Sequence, residues 1–346
     1  MGFLDSWVQS ISGVLWDSLL IYLLVGTGIY FTIRLRFVQV RHFGLGLKKL
    51  FSNFSLHGGK QEGGLTSFQA LATAIAAQVG TGNIAGAATA IASGGPGAIF
   101  WMWISAFFGM STIYAEAVIA QKTRTVVNGK VVGGPAYYIQ TAFKGTFGKF
   151  LAGFFSIAII LALGFTGNMV QANSIADGFH KAFEIPQWAT GIFVFAIAGF
   201  IFIGGVRRIA SFAEKMVPLM AVVYILGSLT IIFSNYDMIL PAFKEIIVGA
   251  FDPSATTGGI IGASLKEAIR YGVARGLFSN EAGMGSTPHA HALAQVKHPC
   301  EQGLVAYVGL FFDTFIVLNM TALVTLTTGV LDGKSTGIVL TQAAFT

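Results

Sequence analysis

Gly80-Thr81-Gly82-Asn83-Ile84-Ala85-Gly86 falls in the middle of one apolar run, 65–93, and Gly276-Leu277-Phe278-Ser279-Asn280-Glu281-Ala282-Gly283 falls in the middle of another, 258–295. Both contain an N-x-A-G tetrad, at Asn83 and at Asn280. Each is followed by a proline, Pro96 or Pro299, and then by a further apolar run. A helix interrupted at bilayer depth frees N–H and C=O groups that are costly to leave unsatisfied, so such a break persists only where protein, water or a ligand meets it. Interrupted helices at corresponding positions in two halves of a chain point to a secondary transporter.

Composition supports the bilayer. The 346 residues are 54% hydrophobic and only 10% charged, with a mean hydropathy of +0.71, whereas soluble domains carry about 25% charged residues. An all-α integral membrane protein is the expected class, read as one transmembrane domain. Spans are predicted near 12–33, 65–93, 96–120, 150–176, 185–206, 216–234, 258–295 and 302–331, with a ninth opening near 337. The run 239–250, between Pro241 and Pro253, is too short to cross a bilayer, which takes about 20 residues, and is expected at the interface. The first run lacks a basic leader and carries Asp5 and Asp17, so it reads as a retained span.

Alternate loops differ in charge. Loops 34–64, 121–149, 207–215 and 296–301 hold fifteen of the twenty-one Lys and Arg residues, including Arg34, Lys60, Lys130, Arg207 and Lys297. The intervening loops hold Lys181, Lys244 and Lys334, while Lys266, Arg270 and Arg275 fall in or beside the seventh run. The positive-inside rule then puts the N-terminus outside. The net charge of +6 is explained by this pattern; no nucleic-acid motif accompanies it. With this orientation the two interrupted segments run in opposite directions, which predicts two five-helix repeats of inverted topology: an extra first helix at 12–33, a first repeat at about 65–234 and a partial second repeat at about 258–346.

The chemistry is expected at the breaks. Gly80 and Gly82 permit positive φ and close ligand approach, Thr81 and Asn83 carry oxygens suited to a hard cation, and a helix N-terminus offers N–H groups to a carboxylate. That combination suits a zwitterion beside a cation. Glycines in membrane helices more often mark packing surfaces, and it is the paired breaks that favour a ligand. A third polar cluster, Gly167-Asn168-Met169-Val170-Gln171-Ala172-Asn173, ends the fourth span; Asn173 reads as a hydrated helix end, and Gln171 is balanced between that role and the site. Glu116, Glu281 and Asp313 are acidic groups at or near membrane depth and hence functional candidates. Glu116 could be interfacial, and Asp313 is expected to pair with Arg275 or Arg270, or to hydrate. His289 and His291 are expected to be solvated at a cytoplasmic boundary. The sequence has no Walker A or HExxH motif, so an enzyme is not expected; a channel remains the alternative.

Six stretches carry a resemblance to the alanine or glycine:cation symporters, also called sodium:alanine symporters. They are Gly26-Thr27-Gly28-Ile29, Gly80 to Gly86, Gly94-Gly95-Pro96-Gly97-Ala98, Tyr114-Ala115-Glu116-Ala117, Gly167 to Gln171, and Phe278 to Gly283. The resemblance implies sodium-coupled, sometimes proton-coupled, symport of a small neutral amino acid such as alanine or glycine across a plasma membrane, with no organic cofactor. It implies substrate contacts from Gly80, Thr81, Gly82, Gln171, Phe278, Ser279 and Asn280, with sodium near Thr81, Asn83 and backbone carbonyls. Family members usually continue for further helices, so the second repeat is expected to be incomplete and any ligands from those helices missing, which makes a transport-incompetent fragment a further reading.

Overall fold

The computed structural model describes residues 2–52, 64–252 and 264–346. Lys60, Pro253 and the opening of the 258–295 run lie outside them, as does the side chain of Asp17. The described chain is helical apart from one hairpin, Thr125–Val127 paired with Lys130–Val132. Its turn is Asn128-Gly129, both at positive φ, the pair that a two-residue hairpin turn requires.

The first, fourth and sixth helices extend well beyond their predicted spans. The first runs Gly2–Val14, passes through a π-turn at Leu15–Leu19 and continues as Leu20–Arg34. The third predicted span is Gly97–Thr123 and the fourth is continuous from Gly145 to Phe183. Gly205–Ser234 begins eleven residues before the expected 216, so Arg207, Arg208 and Lys215 sit on its opening turns rather than in a loop. Ile239–Gly249 has only 11 residues, about 16 Å of helix against a hydrocarbon core of about 30 Å. Gly337–Phe345 occupies the predicted ninth run.

The two kinds of long helix differ in surroundings. In the most apolar stretch of Gly97–Thr123, 61% of residues are buried, against 6% in that of Gly145–Phe183. The side chains the latter exposes include Phe150, Phe154, Ile157, Leu161 and Phe165, a surface that needs an apolar surrounding.

Gly97–Thr123 is the central pillar, with Leu265–Asn280 and Pro299–Phe311 packed against it. Close crossings depend on missing side chains. A Cβ at Gly272 would lie 2.4 Å from the Ala98 carbonyl oxygen, one at Gly303 would lie 2.7 Å from Val118 Cγ2, and one at Gly28 would lie 2.9 Å from the Phe108 carbonyl oxygen. Polar side chains add cross-links: Thr32 Oγ1 lies 2.9 Å from Ser111 Oγ, which donates to the Gly28 carbonyl at 2.8 Å. Without a hydrophobic drive between helices in lipid, such small-residue contacts and hydrogen bonds hold the bundle.

This packing is tested by Gly272→Ala, which places a methyl group against the Ala98 carbonyl and should destabilise by about 1–3 kcal/mol. Gly191→Ala, where nothing lies within 4 Å of the new methyl group, should not. Thermal unfolding of the two variants in one detergent compares them.

Candidate functional site

The first broken helix opens on a capping box. Thr66 Oγ1 accepts from the Gln69 N–H at 3.0 Å and Gln69 Oε1 accepts from the Thr66 N–H at 3.1 Å. Ser67–Gln78 then stops because Val79 turns to extended backbone, and the helix resumes as a π-turn, Gly82–Gly86, followed by Ala87–Gly94. Groups freed between are met by side chains: Thr81 N–H donates to Gln171 Oε1 at 3.2 Å and Gly80 N–H to Asn83 Oδ1 at 3.3 Å. Neither Gly80 nor Gly82 adopts the positive φ expected of them. Their role is close approach: a Cβ at Gly80 would lie 2.7 Å from Gln171 Nε2, and one at Gly82 would lie 3.1 Å from Ser279 Cα.

The second break lies later than the sequence suggested. Leu265–Asn280 is continuous through Gly276 to Asn280, and the irregular segment is 281–287, before the short helix Pro288–Ala292. Gly276 is a packing glycine; a Cβ there would lie 2.4 Å from Ser105 Oγ. The residues that turn the chain are Glu281, Gly283 and Gly285, all at positive φ. Glu116 supports them from the central pillar: Oε2 accepts from the Gly283 N–H at 2.9 Å and Oε1 from the Gly285 N–H at 3.1 Å. Ser286 Oγ donates to the Glu281 carboxylate.

The two helix stumps meet. Gln78, the last residue of one, donates from Nε2 to the carbonyl of Asn280, the last residue of the other, at 2.7 Å. Asn280 Oδ1 accepts from the Ala282 N–H at 3.1 Å, while its Nδ2 is buried with no partner among the described residues. Beside them Asn83 Nδ2 donates to Asp313 Oδ1 at 2.8 Å and to the Asp313 carbonyl at 3.0 Å. Thr314 Oγ1 donates to Asp313 Oδ2 at 3.0 Å. Asp313 is fully buried and lies in the π-turn Phe312–Leu318, opposite the π-turn that holds Asn83. π-turns of this kind recur at functional sites.

The expected arginine partner of Asp313 is therefore replaced by a neutral amide and a hydroxyl. Arg270 lies over the Tyr271 ring, 5.3 Å from its centroid, and Arg275 lines a separate cavity with Phe278. The structure thus brings together Gly80, Thr81, Gly82, Asn83, Gln171, Ser279 and Asn280, and turns Phe278 toward that cavity. Gln78 carries one weak signal in the sequence, a glutamine just before a glycine-rich break.

At their other ends the broken helices are tied again. Leu65 and Ala294 form a parallel bridge, with Leu65 N–H donating to the Leu293 carbonyl at 3.0 Å and Gln295 N–H to the Leu65 carbonyl at 2.8 Å. Ser67 Oγ donates to Gln302 Oε1 at 2.6 Å, and Gln302 Nε2 donates to His291 Nδ1 at 2.9 Å. His291 is buried in this chain of partners and is not solvated as expected, because amides satisfy it in place of water. His289 is exposed and stacks on Phe155.

A bundle whose described residues include four helices long and apolar enough to cross a membrane, with two more helices broken around a polar centre, is a multi-pass membrane transporter rather than an enzyme. The chain belongs to the sodium:alanine symporter family, whose profile matches residues 1–346. It is similar to "Sodium/alanine symporter AgcS" of Methanococcus maripaludis, 44% identical over 98% of this chain and 75% of that protein. An "Uncharacterized transporter" of Haemophilus influenzae is 44% identical over 99% of this chain and 74% of its own length. YrbD of Bacillus subtilis is 44% identical over 95% of this chain, which spans 65% of that protein.

Glu116 gives a direct test of the second break. Glu116→Ala would leave two N–H groups without an acceptor, at about 1–3 kcal/mol each where water is absent. Hydrogen exchange at Gly283 and Gly285 should accelerate and the unfolding temperature should fall. Glu116→Gln keeps one acceptor oxygen and should fall between.

Proposed function

We propose that the chain carries a small neutral amino acid such as alanine or glycine together with sodium, through the polar centre between its two broken helices. The observation that carries this reading is the meeting of the stumps, where Gln78 reaches Asn280 and Gln171 reaches Thr81. Family membership and the name of the Methanococcus relative favour sodium and alanine. On this reading the substrate contacts come from Gly80, Thr81, Gly82, Gln171, Ser279 and Asn280, with Phe278 as the outer wall. The carboxylate takes N–H donors of the first break in place of the Gln171 and Asn83 oxygens that meet them here. Sodium takes oxygens from Thr81 and Asn83, and Asp313 adds the anionic oxygen that a hard cation favours.

The scaffold proposed for this is two inverted five-helix repeats after an extra first helix, in the plasma membrane with the N-terminus outside. The inverted breaks and the loop charges support it. With that orientation the bridge of Leu65 and Ala294 closes the cytoplasmic end, which disfavours a continuously open pore.

Purified chain in liposomes, given labelled alanine and an inward sodium gradient, should accumulate alanine; replacing the sodium gradient with a proton gradient tests the other cation. Currents without accumulation would favour a channel. Gln171→Ala should weaken alanine dependence by about tenfold, the worth of one good hydrogen bond. Asn83→Ala should mainly raise the sodium concentration needed. Unchanged alanine and sodium dependence in well-folded variants would sink the site assignment.

Orientation has its own check. A reporter inserted at Asn128-Gly129 should be cytoplasmic and one inserted after Lys334 external, because an odd number of proposed crossings separates them. Both on one side would overturn the topology.

A further inference from the structure

The first helix ends at Arg34, and the chain turns on Arg36 and Phe37, both at positive φ, into the short helix Val38–Arg41 and then Phe43–Ser52. One face of Phe43–Ser52 is fixed to the opening turns of Pro299–Phe311. A Cβ at Gly46 would lie 2.8 Å from Val308 Cγ2, the Phe43 and Phe311 ring centroids are 4.8 Å apart, and Lys49 Nζ pairs with Glu301 Oε1 at 2.7 Å. From Glu301 to Phe311 is about 15 Å of helix, half of a hydrocarbon core of about 30 Å. Phe43–Ser52 therefore lies at the level of one leaflet, from its headgroups inward.

The other face mixes two kinds of side chain. Leu45, Lys48 and Phe51 are spaced three apart and form one stripe, with Leu45 44% and Phe51 61% exposed. Phe37 and Val40, in the turn before it, are exposed as well, Phe37 in a backbone conformation that is costly for an aromatic residue. Among them stand the exposed cations Arg34, Arg36, Arg41 and Lys48. The stretch 34–62 holds six Lys and Arg residues against one acid, Glu62, which can neutralise only one of them. Cations interleaved with exposed apolar side chains suit the boundary between headgroups and acyl chains. An acidic protein would meet the cations and leave the apolar half uncovered.

We propose that this collar, 34–51, is a binding surface for anionic phospholipid, its exposed arginines and Lys48 meeting the phosphate charge and its exposed apolar side chains entering the acyl layer. On the proposed orientation it faces the cytoplasmic leaflet, where a negative surface potential attracts basic segments. Gly46 and Lys49 join the collar to Pro299–Phe311, which continues into the π-turn that carries Asp313. A bound lipid thus steadies a span of the central site. The proposal goes beyond the transport reading, and its test uses no transport.

The purified full chain, freed of lipid in a neutral detergent, is titrated with dioleoylphosphatidylglycerol and separately with dioleoylphosphatidylcholine, and native mass spectrometry reads the bound lipid. The anionic lipid should be held about tenfold more tightly. Arg36→Gln, Arg41→Gln and Lys48→Gln should each weaken it by about fivefold, the worth of one cation near a charged headgroup, and Lys130→Gln on the hairpin should leave it unchanged. Glycerol phosphate, which has the phosphate without the acyl chains, should not displace it. A photoactivatable phosphatidylglycerol should label the peptide 34–51 of the unaltered chain, so the location is tested even if a variant misfolds. Equal affinity for the two lipids, labelling only outside 34–51, displacement by glycerol phosphate at matched concentration, or an unaltered affinity in the folded collar variants would each overturn the proposal. A loss in Lys130→Gln as large as in the collar variants would do so too, since the attraction would then belong to the charge of the whole face.

Discussion

A helix that stops inside a bilayer leaves peptide groups with no water to turn to, and the rest of this structure is arranged around that constraint. Each hydrogen bond is worth about 4–6 kcal/mol in an apolar medium against no partner at all, so the breaks at 79–81 and 281–287 hold only because other elements supply partners. Gln171 comes from the helix Asn168–Phe183, Glu116 from the central pillar, and Gln78 and Asn280 from the stumps themselves. The bundle therefore positions the breaks, and the breaks tie the bundle together. This also explains why uncharged amides do so much of the joining: they can donate and accept at once without the desolvation that an ion pair would incur.

The membrane class and the first break are legible in the residues, since a long apolar run interrupted by Gly80-Thr81-Gly82 has few other readings. The second break is not, because glycine has two uses in a membrane helix. Gly276 removes a side chain so that the pillar can approach, whereas Gly283 and Gly285 turn the chain; the letters are the same, and only the neighbouring helix separates the cases. Gln171 was ambiguous on its own helix, and its contact with Thr81 depends on how a distant span packs.

Asp313 and His291 show a further limit. Charge matching suggested an arginine for Asp313, and a boundary position suggested water for His291. Both are met by neutral amides, Asn83 and Gln302, from segments 230 and 11 residues away. Hydropathy and loop charge locate a segment relative to the bilayer, but they do not say which side chains converge within it. The hairpin at Asn128-Gly129 lies within the loop 121–149, whose sequence reading rests on its charge and not on its turn residues.

The bridge of Leu65 with Ala294, and the Ser67–Gln302–His291 chain beside it, set an energy scale for the end of the bundle they close. Where water can replace a lost partner, each such bond has a net worth of only about 0.5–1.5 kcal/mol. On the proposed transport reading, separating the two segments by hydration would cost a few kcal/mol, which would leave an opened form as a minority of about 0.1–10% of molecules. Inverting so lopsided a population takes a solute that prefers one form by about 10⁴-fold, and a solute that binds both forms equally moves nothing. What decides the direction of opening is then the difference between two affinities, however tight either affinity is.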